Sequence, residues 1–578
     1  MKISSAKDEE NAPESSKVEL IRHSAAHVLA EAVKELFPDV KLGIGPAIEN
    51  GFYYDFDLKH TFTPEDLEKI EQRMKEIIKR NEKFERFEST KKKAEEILKD
   101  EPYKLELLKE LDKPTFYKNG EFIDLCKGPH VNYTPAIKAF KLTKVSGAYW
   151  KGNSDNKQLQ RIYGLAFKTK DELNNYLKLL EEAEKRNHLH LGKKLDLFSF
   201  HSEAPAMPFW HNNGMIIKNE LIKFWRELHQ QENYQEIETP IILDKELWLK
   251  SGHWDNYKEN MYFTKVDNRD FAVKPMNCPG GMLLYNEKLH SYKEFPLKVA
   301  ELGLVHRHEM SGVTYGLFRV RRFTQDDAHI FITDEQIKDE VIDIIKLVGR
   351  IYKQFGFTYS VEISTRPEKS IGTKEQWDYA EDSLKKALKE LKLDFKLNES
   401  QGAFYGPKID FHIKDAIART WQCGTIQLDM AMPERFDLTY EGKDGKKHRP
   451  VMLHRAIYGS LERFIGILIE HYAGQFPLWL SPVQVILLTI TDAQKEYVKK
   501  LSQKLKELDI RVEIDTRNES MSKKVRDAQL NYIPYILTIG DREIQNKELA
   551  VRTLDGKIKT EKINLFIERI LKEIKERK

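Results

Sequence analysis

The sequence predicts an α+β protein of several domains, and three observations carry that expectation. A chain of 578 residues is long enough for roughly three to five domains. Its centre holds apolar runs that alternate with polar residues across Gly-containing turns, the pattern of antiparallel strands. From Val483 onward short apolar strands alternate with charged helical stretches, the pattern of an α/β sandwich with helices flanking a mixed sheet. The composition, 40% hydrophobic and 32% charged, suits a soluble globular protein. No apolar run approaches the ~18 residues of a membrane span, so no membrane is expected among its partners. The three cysteines, Cys126, Cys278 and Cys423, form no disulfide framework, and a reducing cytoplasm is their natural setting. A net charge of +3 does not decide whether nucleic acid is bound.

The elements follow in chain order. MKISSAKDEENAPESSK is polar, lacks the apolar core of a secretory signal and reads as a disordered tail over residues 1–17. Val18 to Leu36 reads as an amphipathic helix, Glu65 to Arg86 as a charged helix, and Lys91 to Leu111 as more of the same. Phe122 to His130 reads as a strand running into a Gly-Pro turn, and SGAYWKG and LQRIYGLAF as closing strands. Thr169 to Asn187 is a long charged helix, expected to connect domains. Gly214 to Gln230 is strongly helical and leads into a short strand that ends at Pro240. Leu302 to Val305 and Leu317 to Arg321 are expected to pair as a hairpin, and Ala403–Phe411 and Trp421–Asp429 to be strands of a large antiparallel sheet. Strands at 483–490, 511–514, 535–539 and 550–553 and helices to Leu508 and over 522–531 complete the chain. The resulting division is a first domain over 18–168, a helical linker over 169–196, a central domain over 197–480 and a C-terminal domain over 481–578.

Several constellations bear chemistry. His23 and His27, at i and i+4, share a helix face. With Cys126 and His130 they form either a four-ligand zinc set or two local accidents of spacing. Arg307 and Glu309 project from one face of a strand, where arginine is a rigid fork for phosphate. Taken singly, such a pair is also common on exposed strands. Cys278 sits in a tight Pro-Gly-Gly turn, where a lone cysteine is ordinarily a small buried hydrophobe. Gly459 stands at a strand-to-helix junction, and Arg463 in the first turn beyond it, where the helix dipole favours anions. Glu543 and Arg552 are charged residues near the ends of C-terminal strands.

Arg307-x-Glu309 followed by FRVRRFTQDDAHIF resembles motif 2 of a class II aminoacyl-tRNA synthetase, and in detail the threonyl-tRNA synthetase family. The helix before Pro240 resembles motif 1, and GSLERF resembles motif 3. HSAAH and DLCKGPH resemble the bacterial-type editing domain, so the resemblance spans about residues 18 to 578. The small ubiquitin-like N-terminal domain usual in the family is expected to be absent. His308 and Met310 stand where the family often has Asn and Pro.

The resemblance implies a class II antiparallel-sheet catalytic core, an N-terminal α+β editing domain and a C-terminal α/β anticodon-binding domain. It implies ATP with Mg²⁺ held by Arg307 (α-phosphate), Glu309 (adenine amino group), Gln422 and Arg463 (γ-phosphate), with Arg319 beside them in the catalytic set. It implies one Zn²⁺ per subunit on Cys278, His329 and His454, and threonine contacts from Gln325, Asp327, Tyr405 and Gln427. Cys423 is expected to be packed. Editing falls to His23, His27, Asp124, Cys126 and His130, through water-mediated ester hydrolysis; a zinc at that cluster, as in a related alanine-specific module, is the rival reading. Glu543 and Arg552 would read anticodon bases of tRNA(Thr). A homodimer is implied by motif 1.

The implied reaction joins threonine and ATP into threonyl-adenylate and then passes the acyl group to tRNA. Valine is nearly isosteric with threonine, and an apolar pocket separates such pairs only about a hundredfold; a metal with open positions takes both the amino group and the hydroxyl. Serine has both groups, and one missing methyl is worth only ~1–3 kcal/mol, which calls for a second, hydrolytic site. Two other classes stand beside this reading. A non-catalytic nucleic-acid-binding paralogue would lack Arg307 or Arg463, and both are present. A zinc hydrolase centred on His23, His27, Cys126 and His130 would hold two zinc ions per chain.

Overall fold

The computed structural model describes residues 14–153, 155–310 and 312–578. Most of the expected tail lies outside these, as does Ser311; residues 14–17 already belong to the first helix. The chain divides into two compact units, the first ending at Glu181 and the second running from Glu182 to Lys578. Among the described residues no helix is long and apolar enough to cross a membrane.

In the first unit, α1 (Glu14–Leu36) is buried on nearly every side between Ala25 and Val33, because its alanines let neighbours approach closely. It packs against β1 (Gly51–Asp57) and α2 (Pro64–Lys79). Thr63 and Asp66 close a capping box over the α2 N-terminus, with Pro64 in its first turn. The expected helix to Arg86 stops at Lys79 instead. Asn81 takes a left-handed φ of 56°, and the chain resumes as β2 (Glu85–Glu88), paired with β3 (Thr115–Asn119) and through it with β4 (Phe122–Leu125). The expected helix over 91–111 is two short helices, Lys91–Ile97 and Pro102–Lys109, broken where Pro102 has no N–H to give. β5 (Ala139–Tyr149) and β6 (Gln158–Phe167) join β1 in an antiparallel sheet. Then α3 (Lys170–Lys185) leads the chain out of the first unit.

The largest sheet of the second unit has eight strands. After α4 (Asn212–Gln231) come β7 (Gln235–Glu236), α5 (Cys278–Tyr285), β8 (Leu297–His306), β9 (Arg322–Ile332), α6 (Ile337–Gln354), β10 (Thr358–Ser364), α7 (Lys374–Glu390), β11 (Phe395–Asn398), β12 (Lys408–Lys414), β13 (Thr420–Asp429), β14 (Val451–Ala456) and α8 (Leu461–His471). The sheet order is β7-β8-β9-β14-β13-β12-β10-β11, antiparallel except for the pair at each edge. Side chains alternate across it: Ala328, Ile330 and Ile332 of β9 enter the main core with α6 and α8, while Asp327 and His329 face the other way.

Two expected strands are corrected. Leu317–Arg321 is a turn, and the partner of β8 starts at Arg322. Leu317 and Phe318 are apolar because they pack onto α8, where Gly466 leaves room; a Cβ there would lie 3.1 Å from both side chains. Ala403–Pro407 is likewise a turn, and β12 begins at Lys408.

Beyond residue 480 the chain forms β15 (Val485–Thr489), α9 (Lys495–Lys506), β16 (Val512–Asp515), α10 (Met521–Leu530), β17 (Tyr535–Ile539), α11 (Asp541–Asn546), β18 (Glu548–Thr553), β19 (Ile558–Lys562) and α12 (Ile563–Lys575). The sheet order β16-β15-β17-β18-β19 is mixed, parallel over its first three strands. α11, β19 and α12 are additional to the elements read from the sequence.

Candidate active site and a second polar cluster

Register assembles the first site. Gln427 of β13, His454 of β14 and His329 of β9 are Cα partners in one row across three strands. Thr425, Ala456, Asp327 and Glu301 make the next row on the same face. Cys278, at the start of α5, lies over this face, and the donor atoms of Cys278, His329 and His454 all fall within 4.8 Å of one another.

The loop that carries Cys278 is pinned by groups the sequence did not flag. Lys274, only 1% exposed, donates to the Thr239 carbonyl (3.1 Å) and hydroxyl (2.9 Å) and pairs with Glu301 at 2.8 Å. Pro275 then offers its carbonyl to Arg307 Nε at 3.1 Å, and Asn277 Nδ2 donates to Asp327 Oδ2 at 3.2 Å. Gly303 stays without a side chain because a Cβ there would lie 2.1 Å from Asn277 Oδ1.

The donor set fits a divalent cation. His454 Nε2 bonds Asp429 Oδ2 at 2.8 Å, and Asp429 is held by the Ala431 and Met432 N–H groups, which leaves the other imidazole nitrogen as a lone pair. His329 Nε2 is buried with no hydrogen-bond partner, a cost that a cation would remove. Burial, with Asp327 and Asp429 nearby, pushes the Cys278 thiol well up, so it needs a cation to become a thiolate.

Two adjoining cavities open on this face. One, of about 320 Å³, is lined by Cys278, Arg307, Gln325, Asp327, Tyr405, Gln427 and His454. The other, of about 300 Å³, is lined by Arg307, Glu309, Arg319, Gln325, Gln427, Ser460 and Arg463. The Tyr405 hydroxyl donates to Gln427 Oε1. Arg319 pairs with Glu309 at 2.8 Å, and Arg321 grips the Glu309 carbonyl. Arg463 gives Nε to the Gln422 carbonyl and Nη1 to the Phe318 carbonyl, both at 2.9 Å. Gln422 lines neither cavity; its side chain donates to Asp410 at 2.7 Å. Cys423 is buried, lines the second cavity and lies beside Arg463.

In the first unit Cys126 Sγ lies 3.2 Å from both His23 Nε2 and His130 Nε2, and the two rings stack at 4.3 Å. His23 Nδ1 meets the Pro129 carbonyl and His130 Nδ1 meets Ser24 Oγ, each at 3.1 Å. His27 stands apart from the four-ligand expectation. Its ring turns edge-on to Phe84 and Phe122, its Nε2 has no partner, and the close donor group holds His23, Cys126 and His130 only. Asp124 is bonded to Tyr54 (2.6 Å) and buried Lys104 (2.7 Å), neither of which the sequence singled out. Burial lowers His23, holds His27 down to about 4, puts His130 well below its ordinary value and pushes Cys126 up to about 12. At neutral pH the cluster is therefore uncharged, with imidazoles that accept protons and a thiol that is not a nucleophile.

Comparison with known proteins decides the family. Residues 262–472 match the tRNA synthetase class II core domain (G, H, P, S and T), 483–577 the anticodon binding domain, and 115–163 the threonyl and alanyl tRNA synthetase second additional domain. The threonine–tRNA ligase of Clostridium tetani is 60% identical over 92% of this chain and 84% of its own length. That of Clostridium botulinum strain Okra is 59% identical over 96% and 88%. The chain belongs to the threonine–tRNA ligase family. Among solved structures, the RNA binding domain of threonyl-tRNA synthetase from Cryptosporidium parvum superposes with a TM-score of 0.66 at 41% identity, covering 67% of this chain and 98% of that one. A putative threonyl-tRNA synthetase from Aeropyrum pernix gives 0.60 at 30%, covering 68% and 97%.

As a threonine–tRNA ligase the chain is an enzyme that aminoacylates tRNA and carries an editing domain. The ligase core and its anticodon-binding region share the second unit. There Glu543 caps its own helix α11, accepting from Gly540 N–H at 3.0 Å, and Arg552 on β18 donates to the Gly556 carbonyl at 3.3 Å. Lys274 and Lys104, the buried cations missed earlier, carried no signal among 95 basic residues; only burial distinguishes them.

Proposed function

We propose that the two adjoining cavities are one bed for threonine and ATP, divided between the chain's own side chains. The observation that carries this is the row Gln427–His454–His329 beside Asp327, with Arg307 lining both cavities. Cys278, His329 and His454 would hold a zinc ion, one per subunit, which supplies open coordination positions for the amino group and hydroxyl of threonine. Asp327 accepts from that hydroxyl, and Tyr405, Gln427 and Gln325 close around the amino acid. Class II membership brings ATP with Mg²⁺. Arg307 takes the α-phosphate, where charge develops as the carboxylate attacks, Glu309 the adenine amino group and Arg463 the γ-phosphate. Arg319 holds Glu309 in place, and Gln422 acts through its carbonyl on Arg463.

The uncharged cluster of His23, Cys126 and His130, with Asp124 and His27, orients water on the ester of seryl-tRNA(Thr). Residues 18–168 form this editing domain, 169–196 the linker, 197–480 the catalytic domain and 481–578 the anticodon-binding domain, with Glu543 and Arg552 at the bases. The working state is a cytoplasmic homodimer. Exposed Ile241, Ile242, Phe263 and Val266 beside Pro240 support an apolar interface.

Pyrophosphate exchange across the amino acids tests the whole reading. Exchange with threonine, weaker exchange with serine and little with valine is expected; valine exchanging as well as threonine would falsify it.

A further inference from the structure

We propose that the buried ion pair between Lys218 on α4 and Glu462 on α8 is a positioning pair for Arg463. This rests on the reading that Arg463 holds the triphosphate. Glu462 is fully buried and Lys218 is 7% exposed. Lys218 Nζ lies 3.2 Å from Glu462 Oε1 and donates to Thr324 Oγ1 at 3.0 Å. Glu462 Oε2 accepts the Thr324 N–H at 2.7 Å.

The geometry has a plain cause. β14 pairs with β9 only as far as Ala456 opposite Asp327. Past that point the chain leaves the sheet, and the Thr324 N–H, which faces the departed strand, has no backbone acceptor. Glu462 takes the strand's place. Asp326, two residues along β9, does the same service in reverse, its Oδ2 accepting the N–H groups of Ile457 and Tyr458 at 2.9 Å each. Two carboxylates thus lock the turn and the first turn of α8 onto β9. An ionised carboxylate so deeply buried needs a cation, and Lys218 supplies it from α4.

Arg463 is the next residue after Glu462, and Ser460 Oγ caps its N–H at 3.1 Å. Its guanidinium already spends Nε and Nη1 on fixed carbonyls. Any rotation of the first turn therefore moves the guanidinium that would meet phosphate. The pair also joins α4, in the segment that precedes Pro240, to the triphosphate end of the bed. A buried ion pair is seldom the most stabilising choice for its volume, which favours a geometric role over a stabilising one.

The test is steady-state pyrophosphate exchange with the full chain, ATP and threonine varied separately, alongside zinc content and melting temperature. Glu462→Gln and Lys218→Met should each raise KM for ATP by about tenfold, the worth of one hydrogen bond to a charged group, and leave KM for threonine within about twofold. Lys218→Arg should restore most of the ATP affinity. The double variant Lys218→Met/Glu462→Gln, which removes both charges, should do better than the product of the two single effects. If KM for ATP is unchanged, or if both KM values rise together as the melting temperature falls, the pair is only structural and the proposal is wrong. Arg463→Ala separates the two levels: a normal KM for ATP there removes the assignment of Arg463 and this proposal with it. A raised KM there with unaffected Glu462→Gln and Lys218→Met removes the proposal alone.

Discussion

Cys278 shows how much of the chemistry here is set by single environments. Its thiol, buried and flanked by Asp327 and Asp429, holds its proton unless a cation takes it. Cys278→Ser should therefore lower bound zinc and abolish threonyl-adenylate formation, read by metal analysis and pyrophosphate exchange. Full exchange by metal-free protein would remove the zinc role. In the editing cluster the sign of the pH effect follows from the same physics. His23 is lowered and His27 is held to about 4, so both stay neutral below the ordinary histidine value of about 6.5. On the proposed reading the neutral imidazole is the working form, and it is lost only as pH falls through the depressed values. Seryl-tRNA deacylation should accordingly hold its rate as pH drops through about 6.5 and fail only at lower pH. A break at about 6.5 in the rate profile would contradict the assignment.

At the scale of elements, the sequence was most readable where local chemistry is explicit. Thr63, Pro64 and Asp66 mark the start of α2, and Ser460 before a largely apolar helix marks that of α8. It was least readable where tertiary contacts overrule pattern. Nothing in the charged run to Arg86 marks Asn81 as left-handed. Leu317 and Phe318 look like strand residues because α8, 140-odd positions on by sequence numbering, supplies the surface that buries them. The Cys278–His329–His454 set was invisible to spacing for a similar reason: His329 and His454 meet through the β9–β14 register, and Cys278 through a loop held by Lys274 and Glu301. The close contact at Gly466 is testable. Gly466→Ala adds a Cβ 3.1 Å from Leu317 and Phe318, and overpacking of this kind costs about 1–3 kcal/mol. A lower melting temperature is expected, with KM for ATP raised because Arg463 Nη1 rests on the Phe318 carbonyl. An unaltered melting curve would mean the turn yields freely.

Across the whole molecule, the division of labour follows the division of cores. The apolar cluster around α1 draws only on residues up to Ala166, and the one around α6 and α8 only on residues from Leu191 on. Among the described residues neither core includes a side chain from the other unit, so each can pack without it. The synthetic bed lies in the second unit and the His23–Cys126–His130 cluster in the first. A chain of residues 182–578 should therefore fold and support threonine-dependent pyrophosphate exchange within about a few-fold of the full chain, since adenylate formation needs no group from residues 1–181. Given serine and tRNA, it should accumulate seryl-tRNA, and the full chain carrying His23→Ala should do so too while charging threonine normally. Clearance of seryl-tRNA by residues 182–578 at the full chain's rate would place editing in the second unit. Loss of exchange by that piece in a folded, zinc-loaded state would mean that the two units share the synthetic chemistry after all.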